Sequence, residues 1–256
     1  MELGLNGARV LVTGGAGGIG AEICRGFAQE GATVAVHYLS SADTADALAA
    51  EIGGIAVSAD LTDGDATDAM FATVVEQVGG VDICVANAGR YPDGDIPIWE
   101  MTSQRWRQTI DDNLTTIFHT ARAFLRHAAV TERGSLVLVG STAGQFGEAG
   151  SSDYAAAKGA INTGLLLSIK NEAARIGDGV RVNAVAPGWT ITPKRAAAGV
   201  DRAHVERATA TMAHKQLGTP KDVARQVLIL ASDRVSAHQT GQIVTVAGGM
   251  EGRLIP

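Results

Sequence analysis

Short apolar runs alternate along this chain with longer segments of helical period, and that alternation admits few folds. The runs Ala8–Thr13, Thr33–His37, Ile55–Ala59, Ile83–Ala86, Ser135–Gly140, Arg181–Ala186 and Gln242–Val246 read as strands. Between them, helical patterns span Gly18–Glu30, Ala42–Ile52, Ala66–Val78, Ser103–Arg126, Ser152–Ile176 and Pro220–Ala231. In the first helix Ile19, Ile23 and Phe27 recur at the spacing of one inward face. The strands lack polar alternation, which fits burial on both sides of a sheet. The pattern therefore predicts an α/β fold: a doubly wound, parallel, seven-stranded Rossmann-type sheet with helices on both faces. No domain boundary or internal repeat interrupts it, so residues 1–256 read as one domain. The least regular stretch, 190–218, is expected to be a loop and helix insertion over one end of the sheet, covering the substrate.

Composition narrows the function classes. The 256 residues are 46% hydrophobic and 19% charged, enough for one substantial core. A formal net charge of −6 excludes a basic nucleic-acid surface. No run suits a membrane span, and the N-terminus lacks the charged and apolar regions of a signal peptide, so the expected location is cytoplasmic. Cys24, on a helix, and Cys84, on an apolar strand, are expected to be buried free thiols. His119, His127, His204, His214 and His238 show no metal-ligand spacing, and no metal is expected. Trp99 and Trp106 are expected to pack around the fourth helix.

Two motifs carry chemistry. Thr13-Gly14-Gly15-Ala16-Gly17-Gly18-Ile19-Gly20 joins the first strand to the first helix. Glycines there let the backbone turn sharply and approach a pyrophosphate, while the helix N-terminus offers free N–H groups and positive potential. Farther on, Tyr154 and Lys158 stand one helical turn apart in Ser-Ser-Asp-Tyr-Ala-Ala-Ala-Lys-Gly-Ala. A phenol has an ordinary pKa of about 10. A neighbouring ammonium favours its ionised form and makes it usable as a general acid or base.

The pattern Gly-x3-Gly-x-Gly at Gly14, Gly18 and Gly20, with Thr13 ahead of it, resembles the short-chain dehydrogenase/reductase family. Asp60-Leu61 is similar to its adenine-contacting pair and Asn87-Ala88-Gly89 to its Asn-Ala-Gly motif. Asn113, Ser141, Tyr154 with Lys158, Pro187-Gly188 with Thr192, and Thr240-Gly241-Gln242 follow in the family's order. The resemblance covers essentially the whole chain. It departs from the pattern at Ala247, where Asp is frequent, and at Thr190, where Ile or Val is usual.

The resemblance implies an oxidoreductase moving hydride between a nicotinamide nucleotide and a carbonyl or secondary alcohol. Tyr154 is then the proton donor, Lys158 its pKa-lowering partner and ribose ligand, Ser141 a donor to the substrate oxygen, and Asn113 the residue ordering a water relay. Implied cofactor contacts are Thr13, Gly14, Gly18, Ile19, Gly20, Tyr38, Ser40, Ser41, Asp60, Leu61, Asn87, Ala88, Gly89, Tyr154, Lys158, Pro187, Gly188, Thr190 and Thr192. The second strand ends His37-Tyr38-Leu39-Ser40-Ser41, without the acid that would hold a ribose 2′-hydroxyl. Ser40 and Ser41 could donate to a 2′-phosphate and a protonated His37 could add charge, although an ordinary helix start explains the serines equally well. No Arg or Lys sits in the turn or beside Tyr38. The balance leans to NADP(H), with NAD(H) the alternative. Arg90, Tyr91, Phe146 and Trp189, each following a strand, are candidate pocket walls for a small-molecule substrate. The resemblance also implies a homo-oligomer, dimer or tetramer, packed through the helices of Asn113 and Tyr154. Two other readings stay open: a catalytically silent nucleotide-sensing module, and an epimerase or dehydratase using the same Tyr–Lys pair.

Overall fold

A computed structural model describes residues 2–192, 196, 199 and 201–250, the side chain of His204 excepted. Seven strands form one sheet: β1 (Arg9–Val12), β2 (Thr33–Tyr38), β3 (Ile55–Ser58), β4 (Ile83–Ala86), β5 (Arg133–Val139), β6 (Gly179–Pro187) and β7 (Ile243–Val246). Their order is β3-β2-β1-β4-β5-β6-β7, and every pairing is parallel. Val12 sits opposite Val36 on one side and Val85 on the other. The strand order reverses between β1 and β4, which opens a crevice at their C-terminal ends.

Helices cover both faces. One carries α1 (Gly18–Gln29), α2 (Ala42–Ile52) and the helix Pro220–Ala231, whose Ile23, Phe27, Leu48, Val223 and Val227 pack with Val10 and Val12. The other carries α3 (Gly64–Val78), α4 (Ser103–Ile110) and α5 (Thr116–Thr131). On this side Phe71, Ile117 and Phe124 pack with Leu11 and Leu136. Adjacent residues of β1 thus feed opposite cores, as the pleat requires.

Two helices read from sequence as continuous are interrupted. A π-helical turn, Asp111–Thr115, separates α4 from α5. After α6 (Ala143–Phe146), another, Ile161–Leu165, separates α7 (Ser152–Ala160) from α8 (Leu166–Ala173). Each extra residue rotates a polar side chain inward: Asn113 and Asn162 are both buried. The segment 190–218, expected to be a loop and helix insertion, contains a helix, Arg202–Thr209; its residues 193–195, 197, 198 and 200 lie outside those described. Cys24 and Cys84 are buried and free. Among the described residues no helix is long and apolar enough to cross a membrane.

Trp99 and Trp106 do not pack as expected, being 82% and 39% exposed. Only Thr109 of α4 is buried, and the helix docks through polar contacts from Arg105 and Thr109, leaving the indole of Trp106 outside.

Candidate active site

A cleft of about 370 Å³ runs from the glycine turn, past Asn87–Gly89, to Tyr154, Lys158 and Thr190. At its first end the surface is backbone. The Thr13 hydroxyl is buried, accepting from the N–H groups of Asn87 (3.0 Å) and Ala88 (3.1 Å) and donating to the Val85 carbonyl (3.2 Å). The Asn87 amide returns two bonds, to the carbonyls of Thr13 (2.9 Å) and Gly14 (3.2 Å). These bonds fasten the turn to β4. Gly14 takes φ +63°, and a Cβ on Gly20 would lie 2.2 Å from the Gly14 carbonyl oxygen, so neither position admits a side chain without movement. The N-terminus of α1 has no side-chain cap and no acid in its first turn, which suits a bound anion. Ile19 and Thr192 complete this wall.

His37 lies beneath the turn and cannot serve as a charge for a 2′-phosphate. Its Nδ1 accepts the Gly14 N–H at 3.0 Å, and its Nε2 lies 3.1 Å from the Ala59 carbonyl. An acceptor at one nitrogen and a donor at the other define a neutral ring. Burial holds its pKa below the ordinary histidine value. Tyr38, at the end of β2, is partly buried, and Ser40 and Ser41 are exposed. Ser41 precedes α2 but makes no side-chain capping bond. Asp60 accepts from the Thr62 hydroxyl (2.7 Å) and N–H (2.9 Å), which hold its carboxyl below the usual range. Leu61 is buried, with its carbonyl 2.8 Å from His119 Nδ1.

At the second end the surface is side chains. Helix α7 presents Tyr154 and Lys158 together, with Nζ 5.7 Å from the centre of the phenol ring. Lys158 is buried, donates to the Val139 carbonyl at 3.0 Å, and burial pushes its pKa down to about 8. Burial pushes the Tyr154 phenol up to about 12, against a downward pull from its hydrogen bond with Ser141. The pull toward the ionised phenol comes from Ser141, and desolvation outweighs it. Ser141 also accepts from the Ala143 N–H at 3.1 Å. Asn113 accepts from the Arg90 N–H (3.1 Å) and donates to the carbonyls of Arg90 (2.9 Å) and Thr109 (3.0 Å). A Cβ placed on Gly89 would meet both Asn113 Oδ1 (2.8 Å) and Lys158 Nζ (3.4 Å), so these two groups adjoin. Pro187 and Gly188 close the cleft floor; the Thr190 hydroxyl donates to the Gly188 carbonyl at 3.0 Å.

Residues 14–251 match the family model described as enoyl-(acyl carrier protein) reductase. The chain belongs to the short-chain dehydrogenase/reductase family. Among its relatives, the 3-oxoacyl-[acyl-carrier-protein] reductase FabG of Vibrio cholerae is 35% identical, over 97% of this chain and 99% of that protein. The cis-4-hydroxycyclohexanecarboxylate dehydrogenase of Sinomonas cyclohexanicum is 35% identical over 93% and 94%. The 3-oxoacyl-[acyl-carrier-protein] reductase MabA of Mycobacterium bovis is 34% identical over 94% and 92%. This short-chain dehydrogenase/reductase is thus an oxidoreductase acting between C=O and CH–OH.

Several residues of the family member's site escaped the sequence pattern. Asp153 is fully buried; its carboxylate accepts from Arg105 Nε and the Thr109 hydroxyl, each at 2.7 Å, and from the Tyr154 N–H at 2.9 Å. Arg105 also donates to the Asp93 carbonyl at 2.9 Å, so one guanidinium ties α7 to the chain following β4. Burial pushes the Asp153 carboxyl up, but the bonds from Thr109, Arg105 and the Tyr154 amide outweigh it and hold it low. Glu148 also lines the cleft. Of the candidate walls, Arg90, Tyr91 and Trp189 line it, with the Tyr91 ring 5.0 Å from that of Tyr154. Phe146 does not: it is 44% exposed, because the chain turns away at Gly147 immediately after it.

Proposed function

We propose that this protein transfers hydride between NADP(H) and a carbonyl or secondary alcohol, with Tyr154 as proton donor in reduction and base in oxidation. The observation that carries this reading is a buried lysine, Lys158, one helical turn from Tyr154 in the cleft that the glycine turn also lines. Burying an ammonium is costly, and such groups cluster at functional sites, which disfavours a silent nucleotide-sensing module. A bound nicotinamide nucleotide supplies or accepts the hydride. Tyr154, protonated at neutral pH, gives its proton to the substrate oxygen. Ser141 donates a hydrogen bond to that oxygen as negative charge grows on it. Lys158 holds the ribose hydroxyls and returns a proton toward Tyr154, and Asn113 braces the neighbouring loop beside it.

The lean to NADP(H) rests on β2 ending without an acid and on the exposed Ser40 and Ser41 hydroxyls, of which Ser41 is not spent on capping α2. Comparing kcat/KM for one ketone with NADPH and NADH tests it: a marked NADPH preference supports the reading, and a marked NADH preference replaces it with the NAD(H) enzyme. The relatives are named for different substrates, a 3-oxoacyl carrier-protein thioester and a ring alcohol, at the same level of identity. Their shared reaction type supports the chemistry proposed here.

Residues 190–218 are proposed to cover the substrate, since Thr190 and Thr192 already line the cleft. The protein is further proposed to work in the cytoplasm as a homo-oligomer joined through the helices of Asn113 and Tyr154. Phe118 on α5 and Leu167 on α8 support this, being 46% and 47% exposed. Light scattering at micromolar concentration should report a dimer or tetramer; a monomer contradicts it.

A further inference from the structure

The chain leaves α6 through Gly147, at φ 79° and ψ 167°, a conformation open to glycine and strained for other residues. That bend turns Glu148 into the cleft. The following residues are held on both sides. The Glu148 carbonyl accepts the Ser151 N–H at 3.1 Å, and the Gly150 carbonyl accepts the Ile96 N–H at 2.8 Å. The Ser151 hydroxyl lies 3.0 Å from the Tyr91 hydroxyl. Glu148 is partly buried, and its carboxylate has no ion-pair or hydrogen-bond partner among the described residues. A half-buried, unpartnered acceptor in a pre-shaped cleft is a group waiting for a donor.

Its surroundings define that donor. Burial and then the charge of Asp95 raise the Glu148 carboxyl above the usual range. Glu148 lines the same cleft as Tyr91, Ser141 and Tyr154, and its charge raises the pKa of both phenols. Of the two cations at this end, Arg90 is exposed and paired with Asp93, and Lys158 is buried and donates to the Val139 carbonyl. Tyr91 and Trp189 add aromatic walls, which suit a cation as well as an apolar body.

We propose that Glu148 sets substrate choice: the site takes ketones, or the matching secondary alcohols, that carry a hydroxyl or ammonium group near the reacting carbon, and rejects those with a carboxylate there. This rests on the reductase reading above. It deepens that reading by adding a substrate class. Glu148 accepts the substituent's hydrogen bond while Tyr154 and Ser141 hold the carbonyl oxygen, so the substrate is fixed at two points.

The test uses phenyl ketones of the form PhCOCH2X, with X an ammonium, hydroxyl, methyl or carboxylate group, and NADPH or NADH as reductant. Selectivity is read as a ratio of kcat/KM values on one protein sample, so any unfolded fraction cancels. The parent protein should prefer ammonium over carboxylate by about a hundredfold, with hydroxyl above methyl. Glu148→Gln should shrink the ammonium-to-carboxylate ratio by about tenfold or more. A parent protein that favours the carboxylate, or a ratio unmoved in Glu148→Gln, overturns the assignment to Glu148 and leaves the reductase reading standing. Absence of turnover for every ketone with both nucleotides overturns the reductase reading, and this proposal with it.

Discussion

At the glycine-rich end of the cleft the binding surface is backbone, while at the opposite end it is a handful of side chains. The first end is held by neutral groups: the Thr13 hydroxyl ties the turn to Val85, Asn87 and Ala88, the Asn87 amide to the carbonyls of Thr13 and Gly14, and His37 to the Gly14 N–H. The second end holds charge in an apolar place, with Lys158 buried and Tyr154 displaced upward by desolvation. One end therefore binds by shape and dipole, and changing it should cost affinity. The other stores unfavourable electrostatics, and changing it should cost turnover while relieving the fold.

The largest contrast is expected from Lys158→Met. Turnover should fall by about a thousandfold or more, yet the melting temperature at pH 7 should rise. Burial holds the folded lysine at about 8 against 10.5 unfolded. The unfolded chain thus binds that proton more tightly, and the folded protein loses stability at pH values below the unfolded pKa. The variant's advantage should be widest at and below pH 8 and should close as pH approaches 10.5. Thermal melts across that range check it, and a variant less stable than its parent at pH 7 breaks the comparison.

Gly20→Ala probes the other end. The added Cβ would meet the Gly14 carbonyl at 2.2 Å and the Asn87 amide at 2.9 Å, displacing the turn. NADPH affinity should weaken by about a hundredfold, with little change in kcat at saturating nucleotide. Fluorescence titration and saturation kinetics separate the two.

Asp153→Ala is the intermediate case, since it breaks a buried pair that supports the chemical end without touching substrate. Loss of the partner to Arg105 should destabilise the protein by about 3 kcal/mol. Because the folded carboxyl titrates below its unfolded value, its contribution is present at neutral pH and lost as pH falls through the folded pKa. Urea melts at pH 7 should show the deficit, and melts in strong acid should show it shrinking.

The same division explains what could be read from sequence. Strands and helices followed from apolar period, and the turn followed from the spacing of Gly14, Gly18 and Gly20, because backbone requirements leave glycines behind. Tyr154 and Lys158 were visible as residue types at a helical interval. The π-helical turns at Asp111–Thr115 and Ile161–Leu165 were not, since one inserted residue leaves the apolar pattern on both flanks intact. His37 was misread because its role depends on which neighbours its two nitrogens meet, Gly14 and Ala59, both distant in the chain. Asp153 and Arg105 were missed for the same reason: a buried ion pair between separate helices has no local spacing. The indoles of Trp99 and Trp106 were expected to pack around the fourth helix, although α4 docks through polar groups.

The central claim is that Tyr154 moves the proton at the end of a cleft that binds nucleotide independently of it. Measuring NADPH affinity and ketone reduction on the same preparation of Tyr154→Phe tests it most directly. The account predicts that NADPH binding persists while kcat falls by about a thousandfold or more. Turnover close to the parental rate in that variant would contradict it.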